Sequence, residues 1–181
     1  MITLVIGGAR SGKSRYAGEC AARAEADGAA VVVIATALAG DEEMAERIAR
    51  HRADRPPAWR TVEAPVRLGE ALRREAGPGR FVVVDCLTLW LTNLIAPLPG
   101  APGGDLDDEC RALLEAIEAL DAAGADLVLV GNEVGQGVTP RDALSRRFVD
   151  EAGWLHQAVA GRAQRVVWMV AGLPVAAKGA L

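Results

Sequence analysis

The sequence predicts an α/β fold in which helices cover both faces of a mostly parallel sheet. Two observations support this prediction: five short apolar runs are typical of buried strands, and helical patterns separate them along the chain. The runs are continuously apolar rather than alternating, as strands covered on both faces are. With 181 residues, of which 51% are hydrophobic, the chain suits one domain spanning residues 1–181.

The five predicted strands are ITLVI (2–6), VVVIAT (31–36), FVVVDC (81–86), DLVLV (126–130) and RVVWMV (165–170). The four helical patterns are SRYAGECAARAEADG (14–28), DEEMAERIARH (41–51), ECRALLEAIEALDAAG (109–124) and RRFVDEAGWLHQAVAGRA (146–163). Gly28 is suited to end the first helix as a C-cap, and acidic residues fill the first turn of the second. The Pro/Gly-rich segment APLPGAPGGDLD (96–107) is expected to be an exposed loop within the domain.

Bulk properties exclude several classes of protein. No run reaches eighteen apolar residues, so we expect no membrane span, and the N-terminus is typical of a first strand rather than a signal peptide. A formal net charge of −4 argues against a nucleic-acid partner. Cys20, Cys86 and Cys110 have no CxxC spacing, which argues against a disulfide framework or a zinc site and favours the reducing cytoplasm.

The segment GGARSGKS (7–14) has the G-x-x-x-x-G-K-[ST] spacing of a phosphate-binding P-loop, between a predicted strand and a predicted helix. Glycines let the backbone wrap closely around phosphate oxygens, and successive N–H groups form an anion nest to which the helix adds its positive end. Lys13 should reach the β- and γ-phosphates, and Ser14 should offer its hydroxyl to Mg²⁺. The motif therefore predicts a nucleotide site.

Asp85 lies at the carboxyl end of the predicted strand FVVVDC, and it is expected to hold Mg²⁺ or the water shell of the ion. The chain has no N-K-x-D guanine motif, and its D-x-x-G match, DEAG (150–153), falls inside a helical pattern. A Ras-like switch GTPase is therefore not expected.

One of the two histidines, His51, lies among arginines in RIARHRADRPPAW (47–59). In an arbitrary protein this would be a solvated helix end. However, the P-loop together with this segment resembles one known family. The resemblance extends through IATA (34–37), DEEMAERIARHRADRPPAWRTVEAP (41–65), VDCLTLWLTN (84–93), NEVGQGVTP (132–140), RRFVDEAGWLHQ (146–157) and VAGLP (170–174).

That family is the bifunctional adenosylcobinamide kinase/adenosylcobinamide-phosphate guanylyltransferase of cobalamin biosynthesis. The resemblance implies that ATP or GTP phosphorylates adenosylcobinamide, and that GTP then donates GMP to the product with release of pyrophosphate. It also implies a covalent GMP–histidine intermediate at His51, a RecA-like P-loop fold and a homotrimer.

The resemblance implies site residues one by one. His51 and Lys13 are the expected catalytic residues, and Ser14 and Asp85 the expected metal ligands. The residues expected to contact nucleotide are Gly7, Gly8, Ala9, Arg10, Ser11, Gly12, Lys13, Ser14, Ile34, Ala35, Thr36, Arg52, Ala53, Asp54, Arg55, Glu63 and Asp85. This chain departs from some relatives at two positions. Some have a histidine pair where this chain has Arg50-His51, and some have glutamate at the position of Asp85. The shorter aspartate is expected to reach either the metal or a guanosine hydroxyl through water.

The chemistry of GMP transfer sets further expectations. An attacking histidine must be neutral with one ring nitrogen free, and guanidinium groups can stabilise the charge that develops on phosphate oxygens. Arg47, Arg52 and Arg55 are therefore expected to include phosphate ligands. Glu63, which follows RTV (60–62) in a short strand-like piece, is expected to contact base or ribose. His156 is expected to be structural.

Other roles stay open at the level of sequence. Asn132 and Glu133 either touch substrate or build a polar turn, and Trp90 is expected to serve packing or subunit contact rather than corrin stacking. Two alternative functions also remain: a simple P-loop small-molecule kinase, and a nucleotide-binding assembly module that drives conformational change in a partner.

Overall fold

The computed structural model describes Met1–Leu181 and contains one seven-stranded sheet with six helices. The strands are β1 (Ile2–Gly7), β2 (Ala30–Ala35), β3 (Arg60–Glu63), β4 (Arg80–Asp85), β5 (Asp126–Asn132), β6 (Arg165–Val170) and β7 (Leu173–Lys178). The helices are α1 (Lys13–Ala26), α2 (Glu42–Ala53), α3 (Leu68–Glu75), α4 (Leu87–Ile95), α5 (Leu106–Ala122) and α6 (Ala143–Arg162).

The strand order is β3-β2-β4-β5-β1-β6-β7. Every neighbouring pair is parallel except β6 and β7, which form an antiparallel hairpin at one edge. Consequently β1, β2, β4 and β5 all end at the same edge of the sheet, where α/β proteins place their ligands. β5 lies between β1 and β4, so the residues that follow those two strands are separated by two strand spacings, about 10 Å.

The two faces of the sheet are covered unequally. One face packs against α3, α4, α5 and α6 in a cluster of 25 buried residues. The other face packs mainly against α1, through Tyr16, Ala17 and Ala21, in a cluster of 13 buried residues. Helices therefore lie on both faces, as the sequence predicts. The thinner cover on the α1 face leaves room for a cavity between α1 and the segment that follows α2.

Five strands and four helices agree with the sequence-based expectations to within a few residues, and β3 coincides with the short strand-like piece that ends at Glu63. Three further elements were not predicted: α3, α4 and β7. α4 has the sequence LTLWLTNLI, which is apolar nearly all round and shows no helical stripe. Its Trp90 is fully buried, and its indole nitrogen donates to the Val66 carbonyl at 2.5 Å. Trp90 therefore serves packing within the chain.

The Pro/Gly-rich segment is an exposed connection between α4 and α5, except that its last two residues already belong to α5. None of the six helices combines the length and apolar character that crossing a membrane requires.

Candidate nucleotide-binding and transfer site

The P-loop lies between β1 and α1, as its spacing predicts. Arg10 and Gly12 adopt positive φ angles of 56° and 95°, which fold the chain tightly before α1 begins at Lys13. The Lys13 ammonium is buried within the loop, where it donates to the Gly8 carbonyl at 2.5 Å and lies 3.4 Å from Ser11 Oγ. Burial lowers the pKa of Lys13, and the nearby Cys86 and Asp85 oppose this effect.

Asp85 ends β4 at the same edge of the sheet as the P-loop. It pairs in register with Val130 of β5, which in turn pairs with Val5 of β1. Thr36 holds the following residue in place, because its hydroxyl donates to the Cys86 carbonyl at 2.7 Å and accepts from the Cys86 N–H at 2.9 Å. The end of β4 is thus fixed to the end of β2, and with it the backbone that carries the Asp85 carboxylate.

His51 reaches this edge from the last turn of α2. That helix begins at Asp41, whose carboxylate accepts from the Met44 N–H at 2.7 Å as a standard N-cap, and it buries none of its residues fully. His51 Nδ1 lies 3.9 Å from Asp85 Oδ2, and Arg55 Nη2 lies 3.6 Å from the same oxygen. The fold therefore brings the His51 imidazole and the Arg55 guanidinium to a carboxylate that lies 34 and 30 residues further along the chain.

Two cavities meet at these residues. The first, which we call the P-loop cavity, has a volume of about 450 Å³ and is lined by Ala9–Arg15 together with Met44, Arg47 and Ile48 of α2. The second, which we call the α1 cavity, has a volume of about 530 Å³ and has Ala17, Ala22, Val33, Trp59 and Val83 among its apolar walls.

Five residues line both cavities: Ser14, Arg15, His51, Asp85 and Val130. The His51 side chain is 43% exposed and that of Asp85 is 22% exposed, so both are accessible to a ligand. A phosphate chain that lies in the P-loop cavity can therefore meet the imidazole where the two cavities join.

Several expected contact residues do not line either cavity. Ile34 is fully buried in the cluster on the opposite face of the sheet, and Thr36 is fully buried beside Cys86, so each can meet a ligand only through its backbone. Arg52 and Glu63 form an ion pair with each other on the surface, with side chains 57% and 69% exposed. Of the arginines expected to bind phosphate, Arg47 lines the P-loop cavity and Arg55 lines the α1 cavity.

Trp59 is a wall of the α1 cavity that sequence reasoning did not assign. Its indole N–H donates to Glu25 Oε2 of α1 at 3.0 Å, which fixes the ring against that helix. Met44 and Ile48 lie one helical turn apart on α2, and both line the P-loop cavity.

The residues after β5 are tied to the site by their backbone. The Asn132 N–H donates to Thr88 Oγ1 at 2.7 Å, and the Glu133 N–H donates to the Gly7 carbonyl at 2.9 Å. Asn132 also lines the P-loop cavity. His156 lies instead beneath β5, where a Cβ on Gly131 would collide with its ring, and burial lowers the pKa of this imidazole.

Comparison with known proteins identifies the family of the chain. Residues 3–177 match the family described as cobinamide kinase / cobinamide phosphate guanyltransferase. The chain belongs to this family. It is 56% identical over 179 residues to a bifunctional adenosylcobalamin biosynthesis protein, CobP, of Pseudomonas aeruginosa, covering 99% of this chain and 98% of that protein. It is 41% identical over 189 residues to the Escherichia coli protein CobU, covering 98% of this chain and 100% of that one.

Solved structures confirm the P-loop fold. The flagellar accessory protein FlaH of Methanocaldococcus jannaschii aligns with a TM-score of 0.55 at 12% identity, over 98% of this chain and 78% of that one. The P4 protein of bacteriophage phi6, in complex with ADP, aligns with a TM-score of 0.53 at 17% identity. That alignment covers 96% of this chain and about half, 53%, of the phage chain. The family resemblance and fold class inferred from the sequence are therefore confirmed.

Proposed function

We propose that this chain catalyses both reactions of its family: phosphorylation of adenosylcobinamide by ATP or GTP, and transfer of GMP from GTP to adenosylcobinamide phosphate through a GMP–His51 intermediate. One observation carries the proposal. His51 stands where the P-loop cavity meets the α1 cavity, beside Asp85, so a nucleotide cradled by the P-loop can present a phosphorus atom to the imidazole.

In the kinase step the P-loop holds the β- and γ-phosphates while the corrinoid hydroxyl attacks the γ-phosphorus. The bond from that phosphorus to the β,γ-bridging oxygen breaks, the nucleoside diphosphate leaves, and the hydroxyl proton passes to solvent. Backbone N–H groups and the buried Lys13 ammonium stabilise the charge that spreads over the phosphate oxygens. Arg47 adds positive charge from α2 on the opposite wall of the P-loop cavity.

In the transfer step the free Nε2 of His51 attacks the α-phosphorus of GTP. The bond from that phosphorus to the bridging oxygen breaks, and pyrophosphate leaves toward the P-loop. The phosphate of adenosylcobinamide phosphate then attacks the same phosphorus from the other side, and the P–N bond breaks to release the imidazole. Asp85 faces Nδ1 and favours the tautomer that leaves Nε2 free, and it also offsets the positive charge on the guanylylated ring.

We also propose Ser14 and Asp85 as the protein ligands of Mg²⁺. Each of these two residues lines the P-loop cavity and the α1 cavity. No group of three or more His, Cys, Asp or Glu side chains is placed to hold a metal ion without other ligands. This donor set fits a cation that keeps most of its ligands as water and phosphate oxygens. When bound, Mg²⁺ would neutralise charge on the phosphate chain.

Incubation with GTP labelled at the α-phosphate tests the proposal. We expect label on the protein that survives denaturation and base but is lost in acid, as a phosphoramidate is, and chase with adenosylcobinamide phosphate should move it to the corrinoid. A simple P-loop kinase would form no such adduct. A nucleotide-binding assembly module would form no adduct and would also convert no corrinoid. The absence of the adduct, or of corrinoid conversion, would refute the proposal.

Asp85→Asn should slow formation of the histidine adduct by about 10- to 100-fold, because second-sphere carboxylates that orient a histidine typically contribute that much. The measurement is the single-turnover rate of label incorporation from GTP. Asp85→Glu, which keeps the charge, should restore most of the rate. Equal rates in wild type and Asp85→Asn would remove the carboxylate from the transfer step.

We further propose a homotrimer, as the family resemblance implies, and we assign its subunit contact to an exposed apolar strip on the β6–β7 hairpin. Trp168 pairs with Val175 and Val170 with Leu173, so all four side chains share one face of the hairpin, and Leu173 is 68% exposed. A contiguous apolar surface on an edge hairpin is typical of a protein–protein contact.

We also propose the cytoplasm as the compartment of this protein. The three free cysteines are compatible with a reducing compartment.

Val175→Glu should convert the trimer to monomers, because it places a charge in the centre of the apolar strip. Light scattering after size-exclusion chromatography measures the mass directly. Leu144→Glu, at an exposed leucine on α6 outside the strip, is the control and should leave the mass unchanged. A trimer that persists in Val175→Glu would show that the strip is not its interface.

A further inference from the structure

The turn that joins β6 to β7 is hydrogen-bonded to the P-loop, although the two are about 160 residues apart. The Gly172 N–H donates to the Ser11 carbonyl at 3.1 Å, and the Gly172 carbonyl accepts from Arg15 Nη2 at 3.0 Å. Val170 pairs with Leu173, so the connection is a two-residue hairpin turn. Its residues, Ala171 and Gly172, have φ angles of 50° and 83°, which suit such a tight turn.

The hairpin also packs directly on the glycines of the P-loop. A Cβ on Gly12 would lie 3.4 Å from Gly172 Cα and 3.6 Å from Met169 Cε. A Cβ on Gly7 would lie 2.6 Å from the Met169 carbonyl oxygen, closer than real side chains approach. The glycines of the motif thus allow close packing against the hairpin behind the loop as well as close approach of a phosphate in front of it.

This contact fixes the direction of one amide in the phosphate cradle. The peptide unit between Ser11 and Gly12 is trans, so its C=O and N–H groups point in opposite directions. Because the Ser11 carbonyl is held by the hairpin, the Gly12 N–H must point away from the hairpin. Gly12 lines the P-loop cavity, whereas no residue of the hairpin does.

Arg15 completes the contact from the first turn of α1. Its guanidinium is tied to the Gly172 carbonyl and lies 3.7 Å from Glu19 one helical turn later. A charge-assisted bond to a backbone carbonyl holds the turn against the helix more firmly than a neutral one does. The arginine therefore links α1, the P-loop and the hairpin at one point.

We propose that Arg15 and Gly172, which together we call the brace, are positioning residues for nucleotide binding. The brace keeps the Gly12 N–H directed into the P-loop cavity before a phosphate arrives, so that binding does not have to reorient this peptide. The inference rests on the proposed function only in that the P-loop binds a polyphosphate, and it applies equally to the kinase and transfer steps. Its failure would leave the GMP–His51 proposal intact.

Arg15→Ala and Gly172→Ala test the brace from its two ends. Arg15→Ala removes an exposed side chain, whereas Gly172→Ala places a Cβ 3.1 Å from Arg15 Nη2 at a position with φ +83°. Pyrophosphate is the probe, and its affinity is measured by calorimetry on the full chain. We expect each variant to bind it about 10-fold more weakly, the scale of one net hydrogen bond. The ¹⁵N–¹H resonance of Gly12 should also shift in the absence of any ligand.

Two controls separate positioning from general damage. Arg23→Ala removes another arginine of α1, whose Nε donates only to the Glu19 carbonyl of its own helix, and Ala171→Gly keeps the turn. Both should bind pyrophosphate as wild type does. Arg15→Lys, which retains a donor, should recover part of the affinity.

The outcomes are decisive in either direction. Unchanged affinity in Arg15→Ala, or an equal loss in Arg23→Ala, overturns the brace. Weaker binding with an unshifted Gly12 resonance assigns Arg15 a direct phosphate contact instead, and also overturns it. If Gly172→Ala fails to fold, Arg15→Ala alone still decides. The brace also requires a kinetic result. The variants should guanylylate His51 more slowly than wild type at low GTP and at the wild-type rate at saturating GTP.

Discussion

Replacing His51 with alanine should reduce GMP transfer by at least about 10³-fold, because the covalent route loses its nucleophile. Phosphorylation of adenosylcobinamide should continue near the wild-type rate, since the P-loop, Lys13 and Asp85 are untouched. Both activities are followed in one assay by separating adenosylcobinamide, its phosphate and its GDP derivative. The expected result is accumulation of the phosphate with no GDP derivative.

The second histidine provides a matched control for this experiment. The chain has two histidines, and His156 lies half-buried beneath β5, on α6 rather than at the cavities. His156→Asn should therefore form the α-labelled adduct as wild type does, and His51→Ala should form none. If His51→Ala still produced the GDP derivative, transfer would have to proceed without His51, and the two-step mechanism would be wrong.

The sequence predicts the phosphate half of the site better than the transfer half. The P-loop is contiguous, and its residues meet the same ligand because a strand and a helix flank a short turn. The neighbourhood of His51 depends on separate segments, since α2, β3 and β4 must pack before Nδ1 can lie 3.9 Å from Asp85. No local spacing encodes that distance. Only the family resemblance assigned His51 and Asp85 to the same site.

The face on which a buried strand residue lies was equally hard to predict. Ile34 and Thr36 belong to a continuously apolar run, in which alternation gives no sign of which side faces the ligand. The structure buries both side chains completely. Helix α4 was missed for a related reason: it is apolar on all sides, so it lacks the periodicity that identifies an amphipathic element.

Lys13→Ala should impair both reactions, in contrast to His51→Ala. The Lys13 ammonium is buried among P-loop groups, where a preorganised positive charge acts on phosphate oxygens with little screening. Loss of one such group typically costs about 10²- to 10³-fold in rate. We expect losses of this size in phosphorylation of adenosylcobinamide and in single-turnover labelling by GTP.

The comparison decides whether one triphosphate site serves both steps. The chain has one other lysine, Lys178, whose ammonium donates to the carbonyls of Ala160 and Gly161 at the end of α6, far along the chain from the P-loop. Lys178→Ala should leave both rates unchanged. If His51 attacks a triphosphate held by the P-loop, pyrophosphate must leave through the P-loop cavity, and labelling of His51 then depends on Lys13. A Lys13→Ala enzyme that labels His51 at the normal rate would therefore show that the GTP of the transfer step binds elsewhere. Phosphorylation and GMP transfer would then use separate nucleotide sites. The position of His51 beside the P-loop cavity would not link the two reactions.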